Sequence, residues 1–408
     1  MKHLGDITLI DGSKIEPVDV ITFGSPCQDL SIAGKRAGLA GQRSGLFMEA
    51  VRIIKQMQEA TNGEYPKYAV WENVPGAFSS NKGKDFLAVL EELIRIKEPT
   101  ISLPEPPKSK WSKAGEVSGS GWSLAWRTMD AQYWGVPQRR LRISLVLDLT
   151  GQRAGEILFE PESLRGHFAP SITPGQATAG AVENGADDAD RRHAEVSNVC
   201  AFKPGNSEQA RSIGYAEELA PTLNAECGGN KPACAYTLKI RSGCEGGGKG
   251  PLVQTEKSAT LSTLQDQTVT GDHNSRITDY ATVVIEKIIR WIVRSLTPTE
   301  CERLQGYPDG WTDLGEWVDS KGKAHKAADA PRYKALGNSI ALPQWYYVLG
   351  GIADRLPDNA TLGSLFDGIG GFPYVWTQLH AGRKELCVWA SEIEEFPIAV
   401  TKVHFPES

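Results

Sequence analysis

Leu365-Phe366-Asp367-Gly368-Ile369-Gly370-Gly371-Phe372 is the stretch on which the fold turns. An apolar run from Leu362 leads into it and a helical pattern follows. The glycines therefore stand between a strand and a helix N-terminus, where backbone can approach a ligand closely and amide groups are unpaired. The next strand candidate ends at Glu392, roughly 20 residues on, where open α/β sheets present a carboxylate to a ribose. Pro373 occupies the place of the third glycine in a nicotinamide-dinucleotide fingerprint, which argues against that chemistry. Read alone, the stretch is equally a plain tight turn.

The other end of the chain carries the same alternation. Val18-Asp-Val-Ile-Thr-Phe23, Tyr68-Ala-Val-Trp71, Trp122 to Thr128 and Leu141 to Leu147 read as strands, with helices over Leu46 to Ala60 and Lys84 to Ile96. This pattern predicts a parallel α/β sheet. The Pro/Lys/Ser-rich Glu98 to Gly121 is expected to be an exposed loop. From Asp148 to Asp279 Gly, Ala, Asn, Thr and Asp dominate, predicting an irregular β-rich unit. Within it Cys200-Ala-Phe with Ala220-Pro-Thr-Leu223 is echoed by Cys234-Ala-Tyr with Ser258-Ala-Thr-Leu261, as in two hairpins of related shape. Ala177 to Ala194, acidic and poor in large apolar residues, is expected to be disordered. Thr297, Pro298 and Glu300 spell a capping box that starts a new helix.

With 408 residues, 40% of them apolar, the chain can bury the cores of two or three units. A net charge of -6 gives no overall basic signature, so any nucleic-acid surface must be locally basic. Seven cysteines without a C-x-x-C pair predict a reducing, intracellular setting. Cys227, Cys234 and Cys244 fit no usual zinc spacing, and no metal is expected. Met1 to Asp6 has no apolar leader, and Val284 to Leu296 is interrupted by Glu286, Lys287, Arg290 and Arg294, so neither export nor a membrane span is expected.

Three strand ends carry chemistry. Ser25-Pro26-Cys27-Gln28 follows Phe23, Trp71-Glu72-Asn73-Val74 ends the neighbouring strand, and Gln138-Arg139-Arg140-Leu141-Arg142 opens another. A lone cysteine is more often buried filler than a nucleophile. A thiol, an acid and arginines converging at the carboxyl edge of a parallel sheet change that balance.

Pro26-Cys27-Gln28, Glu72-Asn73-Val74, Gln138-x-Arg140-x-Arg142, Arg303-Leu304-Gln305-Gly306-Tyr307-Pro308, Gly337-Asn338-Ser339 and Phe366-x-Gly368-x-Gly370-Gly371 together resemble motifs IV, VI, VIII, IX, X and I of the DNA (cytosine-5) methyltransferases. The order departs from the family's. Motif X precedes motif I across the linker Leu356 to Ala360, and Gly5-Asp6-Ile7 looks like motif III, which implies a circular permutation.

The resemblance implies an α/β fold: a Rossmann-like S-adenosylmethionine-dependent methyltransferase sheet built from residues 1–148 and 361–408. A smaller irregular β-rich target-recognition domain would occupy 149–295, and 296–355 would carry motifs IX and X back to the catalytic domain. It implies methyl transfer from S-adenosylmethionine to carbon 5 of a cytosine flipped out of a specific double-stranded DNA sequence. Cys27 would add to the ring, Glu72 would bind its N3 edge, and Arg140 and Arg142 would hold the base. The cofactor would lie against Phe366, Asp367, Gly368, Gly370, Gly371, Glu392, Ile393, Asp6, Ile7, Pro26, Leu46, Asn338 and Ser339. Gln28, Ser31, Arg43 and Gln138 would face DNA. The same resemblance implies a cytoplasmic, nucleoid-associated monomer with a cognate restriction endonuclease as its partner. A transfer-RNA methylating branch lacks a large recognition domain, and a silent DNA-binding module would not need Cys27, Glu72 and Arg140.

Overall fold

The computed structural model describes residues 1–25, 45–107, 110–159 and 296–407, together with the backbone of five strands between 200 and 295. Eight strands make the main sheet: β1 (Lys2–His3), β2 (Val20–Phe23), β3 (Tyr68–Asn73), β4 (Ala114–Gly119), β5 (Trp122–Asp130), β6 (Leu141–Asp148), β14 (Leu362–Leu365) and β15 (Cys387–Ser391). Their spatial order is β1-β15-β14-β2-β3-β6-β5-β4. The first five run parallel, and β6, β5 and β4 are joined antiparallel.

Side chains alternate between two cores, as the pleat requires. Val20, Tyr68, Val70 and Val146 point to one face, while Ile21, Phe23, Ala69, Trp71, Leu145 and Leu147 point to the other. Helices α1 (Gly45–Ala60) and α2 (Lys84–Ile94) cover the second face with Phe47, Ile54, Phe86 and Leu90. The first face is covered by α3 (Ala154–Leu158), α4 (Pro298–Gln305), α6 (Leu342–Ala353) and α7 (Gly371–Leu379). Burial on both faces explains why the central strands are apolar throughout. Helix α5 (Asp329–Asn338) precedes α6, and α8 (Glu395–His404) follows β15. The capping box is present: Thr297 Oγ1 accepts from the Glu300 amide at 3.3 Å and the Glu300 carboxylate accepts from the Thr297 amide at 2.7 Å.

Two sequence expectations fail. Trp122 to Thr128 and Leu141 to Leu147, expected in a parallel sheet, join it antiparallel. Glu98 to Gly121 is not all loop, since Ala114–Gly119 pairs with β5 as the sheet's edge strand. Its glycines make room for neighbouring rings: a Cβ on Gly115 would stand 2.3 Å from Trp126, and one on Gly119 2.4 Å from Trp122. In the second sheet, β7 (Cys200–Phe202), β8 (Ala216–Glu217), β9 (Ala233–Ile240), β10 (Pro251–Val253) and β11 (Arg290–Ser295) assemble around β9, while β12 (Trp317–Val318) and β13 (Ala324–His325) form a separate two-stranded pair. The two echoing segments lie side by side there, with Ala201 opposite Cys234. Ala177 to Ala194, Ala220 to Leu223, Ser258 to Leu261, Cys227 and Cys244 lie outside the described residues. Among the described residues no helix is long and apolar enough to cross a membrane.

Segments remote in sequence are joined at the amino edge of the sheet. Asp19, just before β2, accepts from the Lys67 ammonium at 2.7 Å and from the Thr361 amide at 2.9 Å, tying together the starts of β2, β3 and β14. On the outer strand, the Met1 ammonium donates to the Pro406 carbonyl at 3.1 Å, so β1 lies where a strand following α8 would lie. Replacing Asp19 by Ala leaves the partly buried Lys67 side chain and the Thr361 amide without this carboxylate. A destabilisation of about 2–3 kcal/mol is expected, read as a lower urea midpoint with an unchanged slope.

Candidate active site

At the carboxyl edge of the parallel sheet the chain leaves β14 through a constrained turn. Phe366 has φ 56°, a left-handed conformation that costs a side-chain-bearing residue about 1–3 kcal/mol. The Asp367 amide donates to the Ser391 carbonyl at 3.0 Å, binding the turn to the end of β15. Gly368, at φ 58°, has open space where a Cβ would point, and its amide donates to Glu392 Oε2 at 2.9 Å. Glu392 Oε1 accepts from the Ile393 and Glu394 amides at 2.8 and 2.9 Å, so the carboxylate is fixed by three amides. Ile393 beside it is 64% exposed. From the next strand, the Gly5 carbonyl accepts from Ser391 Oγ at 2.7 Å, bringing the exposed Asp6 to the same edge. An open glycine, an oriented carboxylate and an exposed apolar side chain fit a nucleoside ligand lying over the turn.

The back of the turn is closed by protein. Gly306 ends α4 in a left-handed cap, with its own amide on Arg303 and that of Tyr307 on Glu302. Tyr307 is thereby swung into the interior, where its hydroxyl bonds Ser339 Oγ and burial raises its pKa far above the usual tyrosine range. A Cβ on Gly371 would stand 2.5 Å from that hydroxyl and 2.8 Å from Ile340. Gly371 was expected against the ligand; its missing side chain instead admits Tyr307 and Ile340. Trp311 adds a second tie, donating to the Ile369 carbonyl at 2.9 Å while its ring stacks on His404 at 3.5 Å. The buried Glu302 carboxylate sets Trp311 by accepting from the Gly310 and Thr312 amides at 2.7 and 2.9 Å and from Arg332 at 3.2 Å.

The second part of the site lies where β2 and β3 end and β6 begins. Trp71 donates to Ser25 Oγ at 3.0 Å and Asn73 to the Ser25 carbonyl at 3.3 Å. They fix the residue from which the chain enters Pro26, Cys27, Gln28, Ser31 and Arg43, all of which lie outside the described residues. Glu72 Oε1 pairs with Arg142 Nε at 2.9 Å, with both side chains about 15% exposed, and Oε2 would be 3.3 Å from a Cβ on Gly24. One oxygen thus meets the arginine and the other faces the entry to the cysteine segment.

Other expected site residues are placed differently. Arg140, expected beside a base, is 1% exposed and donates to the carbonyls of Gly337, at 3.3 Å, and Ser339. It braces the end of α5 against the start of β6. Gln138, expected at a DNA surface, is fully buried. The Ile7 side chain is also buried, in the core beside α1, where Leu46 packs partly exposed. Asn338 is exposed at the last residue of α5. Ser25, Glu302 and Trp311 were not anticipated, because isolated residues of these types carry no sequence signal. Among the described residues no group of His, Cys, Asp and Glu could hold a metal ion.

The profile of the C-5 cytosine-specific DNA methylase family matches residues 1–97 and 112–353. A protein of Escherichia phage P1, named DNA N-6-adenine-methyltransferase, is 31% identical over 87% of this chain and 55% of its own length. The chain therefore spans about half of that relative. Type II methyltransferase M.HpaII of Haemophilus parainfluenzae is 25% identical over 83% of the chain and 73% of its own length. Among solved structures, the Dnmt2 methyltransferase of S. pombe covers 86% of the chain, and 83% of its own, at 13% identity and a TM-score of 0.42.

Gly371→Ala tests the back of the turn. The added methyl collides with Tyr307 and Ile340, and a loss of about 1–3 kcal/mol is expected for such overpacking. Tyr307→Phe in the same chain should return part of it, because it removes the closer of the two atoms. Thermal melts of the wild type, both single variants and the double variant measure that coupling.

Proposed function

Because the chain belongs to the C-5 cytosine-specific DNA methylase family, we propose that it transfers a methyl group from S-adenosylmethionine to carbon 5 of a cytosine in duplex DNA. The observation that supports this most is the Glu72–Arg142 pair beside Gly24, at the entry to Pro26-Cys27-Gln28. Carbon 5 is a poor nucleophile, and a thiolate from Cys27 adding at carbon 6 makes the ring electron-rich. Glu72 donates to or accepts from the N3 edge as its charge changes, and Arg142 holds that carboxylate in place. The bound cofactor supplies an electrophilic methyl on a cationic sulfur. Loss of the carbon-5 proton to water, with departure of Cys27 as the thiolate, then restores the aromatic ring. The cytosine must leave the stack to reach these groups, at a cost of a few kcal/mol.

Phe366, Gly368, Gly370, Glu392, Ile393 and Asp6 are the residues we assign to the cofactor, with Asn338 and Ser339 completing the wall. The name of the phage P1 relative raises adenine as a rival base. Methylation of an exocyclic amine needs neither ring addition nor a thiol, so Cys27 and Glu72 together favour carbon 5. We assign residues 1–148 and 361–408 to one catalytic domain, 149–295 to target recognition and 296–355 to the connection between them. The order of the strands in the main sheet and the Met1–Pro406 contact support a circular permutation of that domain. A monomer acting in the cytoplasm beside a cognate restriction endonuclease is the setting that fits this reading.

Three measurements test it. Duplex DNA carrying 5-fluorocytosine should trap a covalent complex that survives denaturing electrophoresis and is absent from Cys27→Ser. Glu72→Gln should slow single-turnover transfer by about a hundredfold while cofactor affinity stays nearly unchanged; a wild-type rate would remove Glu72 from the mechanism. A chain that starts at Thr361 and joins Ser408 to Met1 should methylate the same sites. Its melting temperature should move by only a few degrees, since moving a break between surface loops mainly changes loop-closure entropy.

A further inference from the structure

Asp367 has no task in the chemistry above. The residue is 6% exposed, both carboxyl oxygens are buried, and neither has a hydrogen-bond partner among the described residues. The residue is held on both sides, its amide on the Ser391 carbonyl at 3.0 Å and its carbonyl on the Gly370 amide at 3.2 Å, so the carboxyl is fixed under the cofactor turn. Ser364 offsets part of the cost of burial, although its own hydroxyl lacks a partner of hydrogen-bonding geometry.

The groups around it come from several elements. Glu392, at the end of β15, is a like charge tied to the adjacent Gly368 amide. Tyr307, after α4, carries Arg140 beyond it, and Cys387, at the start of β15, has Glu385 and the Met1 ammonium beyond it. Burial pushes the Tyr307 hydroxyl and the Cys387 thiol far up, so both stay neutral near pH 7. Burial, with Glu392 adding to it, raises the Asp367 carboxyl to about 7. A carboxylate without a partner in a low-dielectric site is stabilised by any cation that arrives nearby.

We propose that this buried, unpartnered carboxyl selects the cationic sulfonium cofactor over its neutral thioether product, ionising as the sulfonium arrives and releasing its proton to solvent. The inference rests on the cofactor reading given above. S-adenosylmethionine and S-adenosylhomocysteine share the nucleoside and the amino-acid groups and differ by one methyl and one positive charge. Shape alone separates them weakly, whereas a fixed carboxylate separates them by charge. The sign follows from linkage: the sulfonium lowers the Asp367 pKa, so affinity for it grows as pH rises through about 7 and then levels off. Affinity for the thioether does not gain in this way. Product therefore competes best at acidic pH, where Asp367 is protonated.

Calorimetric titration of the whole chain with each compound, at about pH 6 and about pH 8.5 and in buffers of different ionisation enthalpy, tests this. The ratio of the thioether Kd to the sulfonium Kd should rise about fivefold over that range, because one pKa unit of coupling sets a limit of about tenfold, of which part is already present at about pH 6. Near pH 7 the sulfonium compound should release a substantial fraction of a proton, and the thioether none. Asp367→Asn should flatten the ratio, and the proton count on the unaltered chain stands whether or not that variant folds. A pH-independent ratio without proton release, with both compounds binding, overturns the proposal. If neither compound binds at any pH, it is the cofactor reading that fails.

Discussion

Gly371 has no side chain, and through that gap the Tyr307 hydroxyl and Ile340 press against the turn after β14. The rest of the site is organised around this contact. Tyr307 bonds Ser339, the carbonyl of Ser339 is held by Arg140, and Arg140 stands two residues before Arg142, which pairs with Glu72. A line of contacts, continued along the backbone from Arg140 to Arg142, thus runs from the glycine turn to the strand ends that lead into Cys27. Its members come from five separated stretches of sequence. The two halves of the site are thus tied to each other, which suits the methyl transfer proposed above, whose donor and acceptor must meet within bonding distance.

The turn itself is polarised. Toward solvent it offers Gly368, Glu392 and Ile393, and toward the interior it is closed by Tyr307, Ile340 and Trp311. Only the first side has room for a ligand. The Phe366 conformation and the buried Asp367 carboxyl are both costly, and both sit at this one corner. Local strain and an unpaired buried acid are features that a structure maintains where binding needs them.

Much of this was legible in the sequence, for reasons that can be named. The central strands and α1, α2 and α4 follow from apolar runs, helical periodicity and a capping box, all of which are local. The turn of β14 into α7 follows from its glycines. What was missed depends on contacts across the fold. Strand β4 looked like loop because Gly115 and Gly119 have poor strand propensity, and only the Trp126 and Trp122 rings explain them. A motif match ranked Gly371, Arg140 and Gln138 by position, but the direction each faces is set by packing, and all three turn inward. The Asp19 clamp joins residues more than 300 positions apart, which no local pattern records.

Methyl transfer by these strand ends to carbon 5 of cytosine leaves a distinct modified nucleoside. Nucleoside mass spectrometry reads that nucleoside. Unmethylated plasmid DNA would be incubated with the purified chain and S-adenosylmethionine bearing a deuterated methyl group, then digested to nucleosides. The label is expected in 5-methylcytosine and in no other nucleoside. Label in N6-methyladenine, with 5-methylcytosine unlabelled, would contradict transfer to carbon 5.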